Sequence, residues 1–168
     1  MCRHSSFDED VTVDLAGVDF HDFRTDEQDA VRLLILDGLE EHWSSVDPTL
    51  NRDLDDLATT YADGRVLVAS DGGLVVGTGT VVRRDVTTAE IVRMSVAQGC
   101  RRTGLGRRIV EDLVSTARNW GMSRIVLETS AQWIEVVEFY RRCGFTQTHF
   151  ESGEFGRDAW FEMNLPGT

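Results

Sequence analysis

The sequence predicts a mixed α/β fold: one sheet of six or seven strands, mostly antiparallel with a central parallel pair, flanked by about four helices. Two observations predict it. Apolar residues recur at helical spacing in four segments and at every second position in most of the others. In addition, a strand–helix–strand unit lies near residues 90–130, and such a unit places its two strands in parallel through a right-handed crossover.

The first part of the chain predicts one short strand and two helices. After about a dozen N-terminal residues, a strand is expected at residues 18–23. The stretch TDEQDAVRLLILDGLEEHW predicts a helix with Thr25 as its N-cap, because acidic residues fill its first turn and apolar residues follow at helical spacing. The stretch NRDLDDLATTYAD predicts a second, shorter helix that ends at Gly64.

The remainder predicts strands interrupted by two helices. RVLVAS and LVVGTGTVVRR flank the glycine turn DGG, which is typical of a β-hairpin. Further elements follow, with a glycine closing each helix. They are the strand AEIVRMSVA, the helix RRIVEDLVSTARNWG, the strand SRIVLETS, the helix WIEVVEFYRRCG, and the strand pair FTQTHFES and DAWFEMNL.

The charge of the chain is negative and unevenly distributed. It has 29 acidic residues against 17 basic ones, a net charge of −12, and every basic residue is an arginine. Residues 1–80 carry a net charge of −13 and residues 81–168 a net charge of +1, so we expect the second half to hold any anionic ligand. The overall charge repels a phosphate backbone, which disfavours nucleic-acid binding.

The excess of acid has two explanations, which the sequence leaves open. It is typical of proteins from salt-accumulating halophiles, whose exposed carboxylates stay hydrated while salt screens their repulsion. Alternatively, it attracts a cationic partner. We expect a cytoplasmic protein without a membrane partner, because the chain has neither a run of 18 apolar residues nor an apolar N-terminal signal. The cysteines and histidines are widely separated in the sequence and lack the spacing of metal ligands, so we expect no metal site.

The stretch CRRTGLGRR, residues 100–108, sets two glycines between two pairs of arginines where a strand passes into a helix. Glycines let a ligand approach the backbone, and the first turn of a helix presents unpaired N–H groups. Together they predict a phosphate-binding turn with arginines on its rim. A Walker A loop is excluded because the chain has no lysine, and a dinucleotide fingerprint because its third glycine position is Ile109.

The order of these segments resembles the GNAT superfamily of acyl-CoA-dependent N-acetyltransferases. Arg101, Gly104 and Gly106 match its signature Arg/Gln-x-x-Gly-x-Gly/Ala, and FYRRCGF matches its later Phe-Tyr-x-x-x-Gly-Phe. The resemblance is strong over residues 89–145 and extends over most of the chain. It implies a GNAT-like sheet and an acyltransferase that uses acetyl-CoA, without a metal, to acetylate a primary amine directly in a ternary complex.

The resemblance also implies how the coenzyme is held. The diphosphate would bind backbone amides of the signature turn, the pantetheine would lie along the preceding strand where two parallel strands splay, and an N–H near Met94 would polarise the acetyl carbonyl. Many relatives have a pantetheine-binding asparagine where this chain has Trp133, so Gln132 is a candidate to replace it. The implied coenzyme-binding residues are Met94, Ser95, Val96, Arg101, Arg102, Thr103, Gly104, Leu105, Gly106, Arg107 and Gln132.

Two residues are implied as catalytic. Glu90, 11 residues before Arg101, would deprotonate the amine, or it is only a solvated acid at the edge of a strand. Tyr140 matches the tyrosine that donates a proton to the coenzyme A sulfur, whereas its spacing alone predicts a packed aromatic residue. Arg93 either faces a substrate or pairs with an acidic residue.

The acceptor is expected to be a small-molecule or peptide amine. Relatives build the acceptor wall from the segment between the first two helices, so Glu41, His42, Trp43 and Asp47 are candidates here. A non-catalytic acyl-CoA-binding module and a protein or peptide N-acetyltransferase remain alternatives.

The expected organisation is a frayed extension over residues 1–15 and a single N-acetyltransferase domain over residues 16–168. The sequence leaves open whether the chain forms a homodimer.

Overall fold

A computed structural model describes residues 14–43 and 45–167. The expected frayed extension therefore lies almost wholly outside the described residues, and the expected single domain stays a prediction. Within these ranges, no helix is long and apolar enough to cross a membrane.

The described residues form seven strands and four α-helices, together with five short 3-10 helices. The strands are β1 Val18–Asp22, β2 Arg65–Asp71, β3 Leu74–Arg83, β4 Thr88–Val96, β5 Arg124–Ser130, β6 Thr146–Gly153 and β7 Gly156–Asn164. The helices are α1 Gln28–Glu40, α2 Leu57–Thr60, α3 Leu105–Asn119 and α4 Ile134–Arg142.

All seven strands belong to one sheet, in the order β1-β2-β3-β4-β5-β7-β6. Only β4 and β5 pair in parallel, and every other neighbouring pair is antiparallel. The predicted fold class is thereby confirmed. The predicted hairpin of β2 and β3 is also present, and its turn contains two glycines with positive φ, 56° at Gly72 and 86° at Gly73.

Helices cover both faces of the sheet. The apolar side of α3, including Leu105, Ile109 and Leu113, is fully buried against one face, as its spacing predicts. On the opposite face, Val31 and Ile35 of α1 pack in a second, smaller cluster. Burial of each such side chain contributes about 1.5–3 kcal/mol.

Two helix predictions in the first part of the chain are wrong in detail. Thr25 is not the N-cap of α1, because residues Thr25–Glu27 form a 3-10 turn and the α-helix begins at Gln28. The second predicted helix is reduced to the four residues of α2. The Gln28 side chain explains part of this, since its amide donates to the Leu54 carbonyl at 2.7 Å and accepts from the Leu57 N–H at 3.0 Å. A tertiary contact thus takes the backbone groups that a longer helix would have paired internally.

The middle of the sheet contains a β-bulge. Thr78 of β3 lies opposite Ser95 of β4, and Thr80 lies opposite Val92, so two residues of β4 face the single residue Gly79. A bulge of this kind interrupts the hydrogen-bond ladder and increases the local twist.

Gly79 is required at this bulge for steric reasons. A Cβ there would lie 2.9 Å from both Ile109 Cγ2 and Leu113 Cδ1, and would also meet the sulfur of Met94. We expect Gly79→Ala to lower the free energy of unfolding by about 1–3 kcal/mol, measured by urea denaturation, because the core must shift to admit the methyl group. Gly17→Ala is the matched control, since no atom lies within 4 Å of its Cβ position. Equal stability of the two variants would contradict the expectation.

Candidate active site

An opening lies between the two parallel strands. β4 and β5 pair over only three positions, the last of which joins Glu90 to Val126. β4 continues to Val96 and β5 to Ser130, but these halves do not pair with each other in the described structure. The edge of β4 beyond Glu90 therefore has backbone groups available to a ligand.

Five backbone N–H groups are free at the start of α3, within residues 102–107. Those of Arg102, Thr103, Gly104, Gly106 and Arg107 donate no hydrogen bond to any described residue. They surround the N-terminus of a 15-residue helix, where the macrodipole places about half a positive charge. This arrangement can bind an anion without a contribution from side chains.

The two glycines of this turn are needed for different reasons. Gly104 has a φ of 91°, which is strained for any residue with a Cβ. Gly106 lies under α4, and a Cβ there would lie 3.2 Å from Phe139 Cζ and 3.5 Å from Val96 Cγ2. One glycine therefore shapes the turn, and the other lets α3 approach α4.

The arginines contribute less free positive charge than the sequence suggests. The Nε group of Arg101 donates a hydrogen bond to the Val96 carbonyl at 3.1 Å. Arg102 forms no ion pair with a described residue. Three of the four are in ion pairs: Arg101 with Glu41 at 2.5 Å, Arg107 with Glu111 at 3.1 Å and Arg108 with Asp112 at 3.4 Å. The N–H groups and the Arg102 guanidinium are therefore the donors of this turn that have no partner among the described residues.

Tyr140 is buried among aromatic rings. It is 5% exposed, and its ring centroid lies 5.1 Å from that of Phe139 and 6.0 Å from that of Phe145. Its hydroxyl has no hydrogen-bond partner among the described residues. Burial raises the pKa of Tyr140 well above the usual value near 10, with a smaller contribution from Cys143. The phenol therefore stays protonated at neutral pH and has a proton to donate.

Two carboxylates occupy the sheet face opposite α3, close to where the opening begins. Glu90 pairs in register with Val126, and Glu128 lies two residues further along the same face of β5. Burial raises the pKa of Glu90, and the Arg84 guanidinium, 3.8 Å away, opposes this. Partial desolvation raises the pKa of Glu128, followed by the negative charges of Asp158, Glu90 and Glu151. Both side chains are thus better proton acceptors than an ordinary glutamate.

Comparison with known proteins identifies the family. A sequence model of the Acetyltransferase (GNAT) family matches residues 29–145, more than half of the chain. The protein belongs to the GNAT acetyltransferase family. The resemblance found in the sequence and the predicted enzyme class, an acyltransferase, are thereby confirmed.

Relatives of this GNAT protein share its fold and part of its sequence. It is 34% identical over 131 residues to a protein named IAA acetyltransferase from Azospirillum brasilense, across 77% of this chain and 82% of that protein. A crystal structure of a GNAT acetyltransferase from Staphylococcus aureus Mu50 superposes with a TM-score of 0.80 at 18% identity, covering 89% of this chain and 99% of that one. A GNAT acetyltransferase from Elizabethkingia anophelis, crystallised with acetyl-CoA bound, has a TM-score of 0.68 at 17% identity over the same shares.

The candidate acceptor residues of this GNAT protein divide into two groups. Glu41 binds Arg101 of the β4–α3 turn, while the ring of His42 stacks on Trp133 at a centroid distance of 4.2 Å. Trp43 lies 5.6 Å from the same Trp133 ring. The segment after α1 therefore contacts both sides of the opening.

Asp47 behaves differently from these neighbours. Its carboxylate accepts hydrogen bonds from the Thr49 N–H at 2.8 Å and the Thr49 hydroxyl at 2.7 Å, so it stabilises a local turn.

The other predicted coenzyme residues lie near the opening in different environments. The Ser95 hydroxyl donates to the Leu34 carbonyl of α1 at 3.1 Å. Gln132 and Trp133 both precede α4, and Gln132 Nε2 lies 3.2 Å from the position that a Cβ would take at Gly156, the first residue of β7. The role of Gln132 as a replacement for asparagine stays a prediction.

Sequence reasoning missed two residues near the opening. Glu128 could have been found from the alternation in RIVLETS, because it shares a face with Val126, the partner of Glu90. No local sequence pattern pointed to Asp53. It binds Arg93 from 40 residues away, in a segment that was predicted as plain helix.

The described residues contain no group of three His, Cys, Asp or Glu side chains that could hold a metal ion.

Proposed function

We propose that this protein is a cytoplasmic N-acetyltransferase that transfers the acetyl group of acetyl-CoA to a primary amine by direct attack in a ternary complex. One observation carries the proposal. The opening between β4 and β5 starts beside Glu90 and runs along β4 to the turn whose N–H groups are free. An extended acyl chain and a diphosphate can therefore bind one continuous stretch of backbone.

The coenzyme fits the donors of this stretch. The free N–H groups at the start of α3 would hold the diphosphate, and the acetyl-CoA in the Elizabethkingia relative supports this choice of ligand. Residues Met94–Val96 lie on the half of β4 that does not pair with β5, and they would pair with the pantetheine as an added strand along that edge. The bulge beside Met94 leaves a backbone group out of the ladder, which supports an N–H there as the contact that polarises the acetyl carbonyl.

Glu90 would act as the base. Acetyl transfer joins the amine nitrogen to the acetyl carbon and breaks the carbon–sulfur bond, so a protonated amine yields an amide, a thiol and one proton. Glu90 lies at the start of the opening with a raised pKa, and can take the proton of the amine directly or through a water. Glu128 lies near it and would share in holding a cationic amine.

Tyr140 would donate the proton that the departing sulfur requires. The pKa of Tyr140 is raised, so the proton is present at any assay pH. Because a coenzyme A thiolate is less basic than this phenolate, complete proton transfer is uphill, and Tyr140 would act by sharing its proton with the sulfur as the carbon–sulfur bond breaks. The coenzyme A sulfur needs only partial protonation in the transition state, and a hydroxyl held at a fixed position, such as that of Tyr140, can provide it.

The experiment that tests this function is a panel of amines assayed with acetyl-CoA for release of free thiol. The panel should contain small primary amines, diamines and short peptides with free amino groups. Amine-dependent thiol release is the expected result, and release only with peptides would favour a peptide N-acetyltransferase. Binding of acetyl-CoA without thiol release from any amine would favour a non-catalytic acyl-CoA-binding module.

The pH dependence tests the base. The Arg84 guanidinium lowers the pKa of both Glu90 and Glu128, so Arg84→Gln should raise both. A base with a higher pKa becomes protonated at a higher pH, so the acid limb of kcat/KM should move upward in pH. Arg83→Gln is the matched control, because its guanidinium stacks on Trp120, 3.9 Å from the ring centroid. An acid limb that does not move in Arg84→Gln would exclude these carboxylates as the base.

A further inference from the structure

The bulge of β4 contains an unusual backbone conformation. Arg93, which faces Gly79 together with Met94, has a φ of 53°, in the left-handed region that non-glycine residues rarely adopt. This conformation costs free energy in any residue with a Cβ, so neighbouring contacts must hold it.

The Arg93 side chain makes contacts that can hold this conformation. Its Nε and Nη2 donate to the two carboxylate oxygens of Asp53 at 2.8 and 2.7 Å, and Nη1 donates to Asn51 Oδ1 at 3.0 Å. The Tyr61 hydroxyl donates to Asp53 Oδ2 at 2.6 Å. We call these four residues, Arg93, Asn51, Asp53 and Tyr61, the Arg93 clamp.

The Arg93 clamp is largely shielded from solvent. The side chains of Arg93 and Asp53 are only 23% and 26% exposed. Burial, followed by the hydrogen bond to Asp53, raises the pKa of Tyr61 to about 12, so this hydroxyl stays a donor. A bidentate, half-buried pair of this kind is more rigid than an exposed ion pair.

The Arg93 clamp joins the two halves of the site. Asn51 and Asp53 follow the segment 41–47, which contains the candidate acceptor-binding residues. Arg93 directly precedes Met94 on β4, the strand proposed to bind the pantetheine. Since φ of Arg93 helps to set the direction of the next peptide group, the clamp sets where the Met94 N–H points.

We propose that Arg93 and Asp53 are positioning residues, which hold the β4 bulge so that the Met94 N–H is aimed at the acetyl carbonyl before the substrate binds. This inference rests on the proposed acetyl transfer. Neither residue takes part in proton transfer. Their contribution is to fix a donor whose misplacement by a fraction of an ångström would weaken transition-state stabilisation.

Two substitutions of Arg93 separate the backbone role from other roles. Arg93→Ala removes the side chain but keeps the cost of a positive φ, whereas Arg93→Gly removes the side chain and the cost together. We expect kcat for thiol release to fall by about tenfold or more in Arg93→Ala and to recover by several-fold in Arg93→Gly. The dissociation constant for acetyl-CoA should change little in either variant.

A double-mutant cycle with Asp53→Ala completes the test. Because both residues act through one contact, the double variant should lose little more activity than either single one. Thermal unfolding of each variant shows whether the losses exceed the fraction of unfolded protein. Equal kcat in Arg93→Ala and Arg93→Gly, additive effects in the cycle, or losses that follow unfolding would each overturn this inference while the wild type stays active. A wild type that releases no thiol with any amine would overturn the proposed function and this inference with it.

Discussion

Replacing Tyr140 by phenylalanine is expected to lower kcat by about 10²-fold or more while the affinity for acetyl-CoA stays nearly unchanged. The ring would keep its packing against Phe139 and Phe145, so the site should retain its shape. Only the hydroxyl is lost, and it has no hydrogen-bond partner among the described residues, so no buried acceptor is left unsatisfied by the change. The departing sulfur would then leave as an unprotonated thiolate.

Steady-state thiol release and a direct measurement of acetyl-CoA binding test this result together. Thermal unfolding of the variant provides the control for folding, and a change of less than a few degrees is expected. Because the pKa of Tyr140 is raised, its proton should not produce a loss of activity at alkaline pH below about 10. Unchanged kcat in Tyr140→Phe would remove this residue from the chemistry and leave the aromatic packing as its role.

Acetyl-CoA is expected to stabilise the wild type strongly and to lose that effect when Gly104 is replaced by alanine. A ligand at 100 times its dissociation constant stabilises the native state by about 2.7 kcal/mol. For a chain of this size that corresponds to a rise in Tm of roughly 5–11 °C. Alanine is strained at the φ of 91° found for Gly104, and relief of that strain would turn the free N–H groups away from a common point.

Gly99→Ala is the matched control for this substitution. Gly99 precedes the same turn, no atom lies within 4 Å of its Cβ position, and its φ is not positive. Its variant should keep the full rise in Tm, whereas Gly104→Ala should keep less than half. An absent shift in the wild type at millimolar acetyl-CoA, or an equal shift in both variants, would contradict backbone binding of the diphosphate.

Elements with a strong local pattern could be predicted from the sequence. The apolar spacing of α3 and the two-glycine turn between β2 and β3 are properties of neighbouring residues, and both agree with the structure. The short helix α2 could not be predicted in this way, because the Gln28 side chain competes for its backbone groups from 29 residues away.

In the candidate site too, features that depend on neighbouring residues could be predicted, and contacts between distant residues could not. The turn of Gly104 could be predicted because free N–H groups at a helix start and a left-handed glycine follow from the local sequence. The partners of its arginines could not be predicted in the same way, since Arg101 binds Glu41 from 60 residues away.

The sequence by itself determined the class of fold, the order of its elements and the backbone turn suited to a phosphate, since each depends on residues close together in the chain. Only the tertiary structure decided that β7 inserts beside β5, that Glu128 lies near Glu90, and that Asp53 binds Arg93, whose backbone is left-handed. The physical reason is that hydrogen bonds and charges act over a few ångströms of space. Which distant residues come that close depends on how the helices and strands pack.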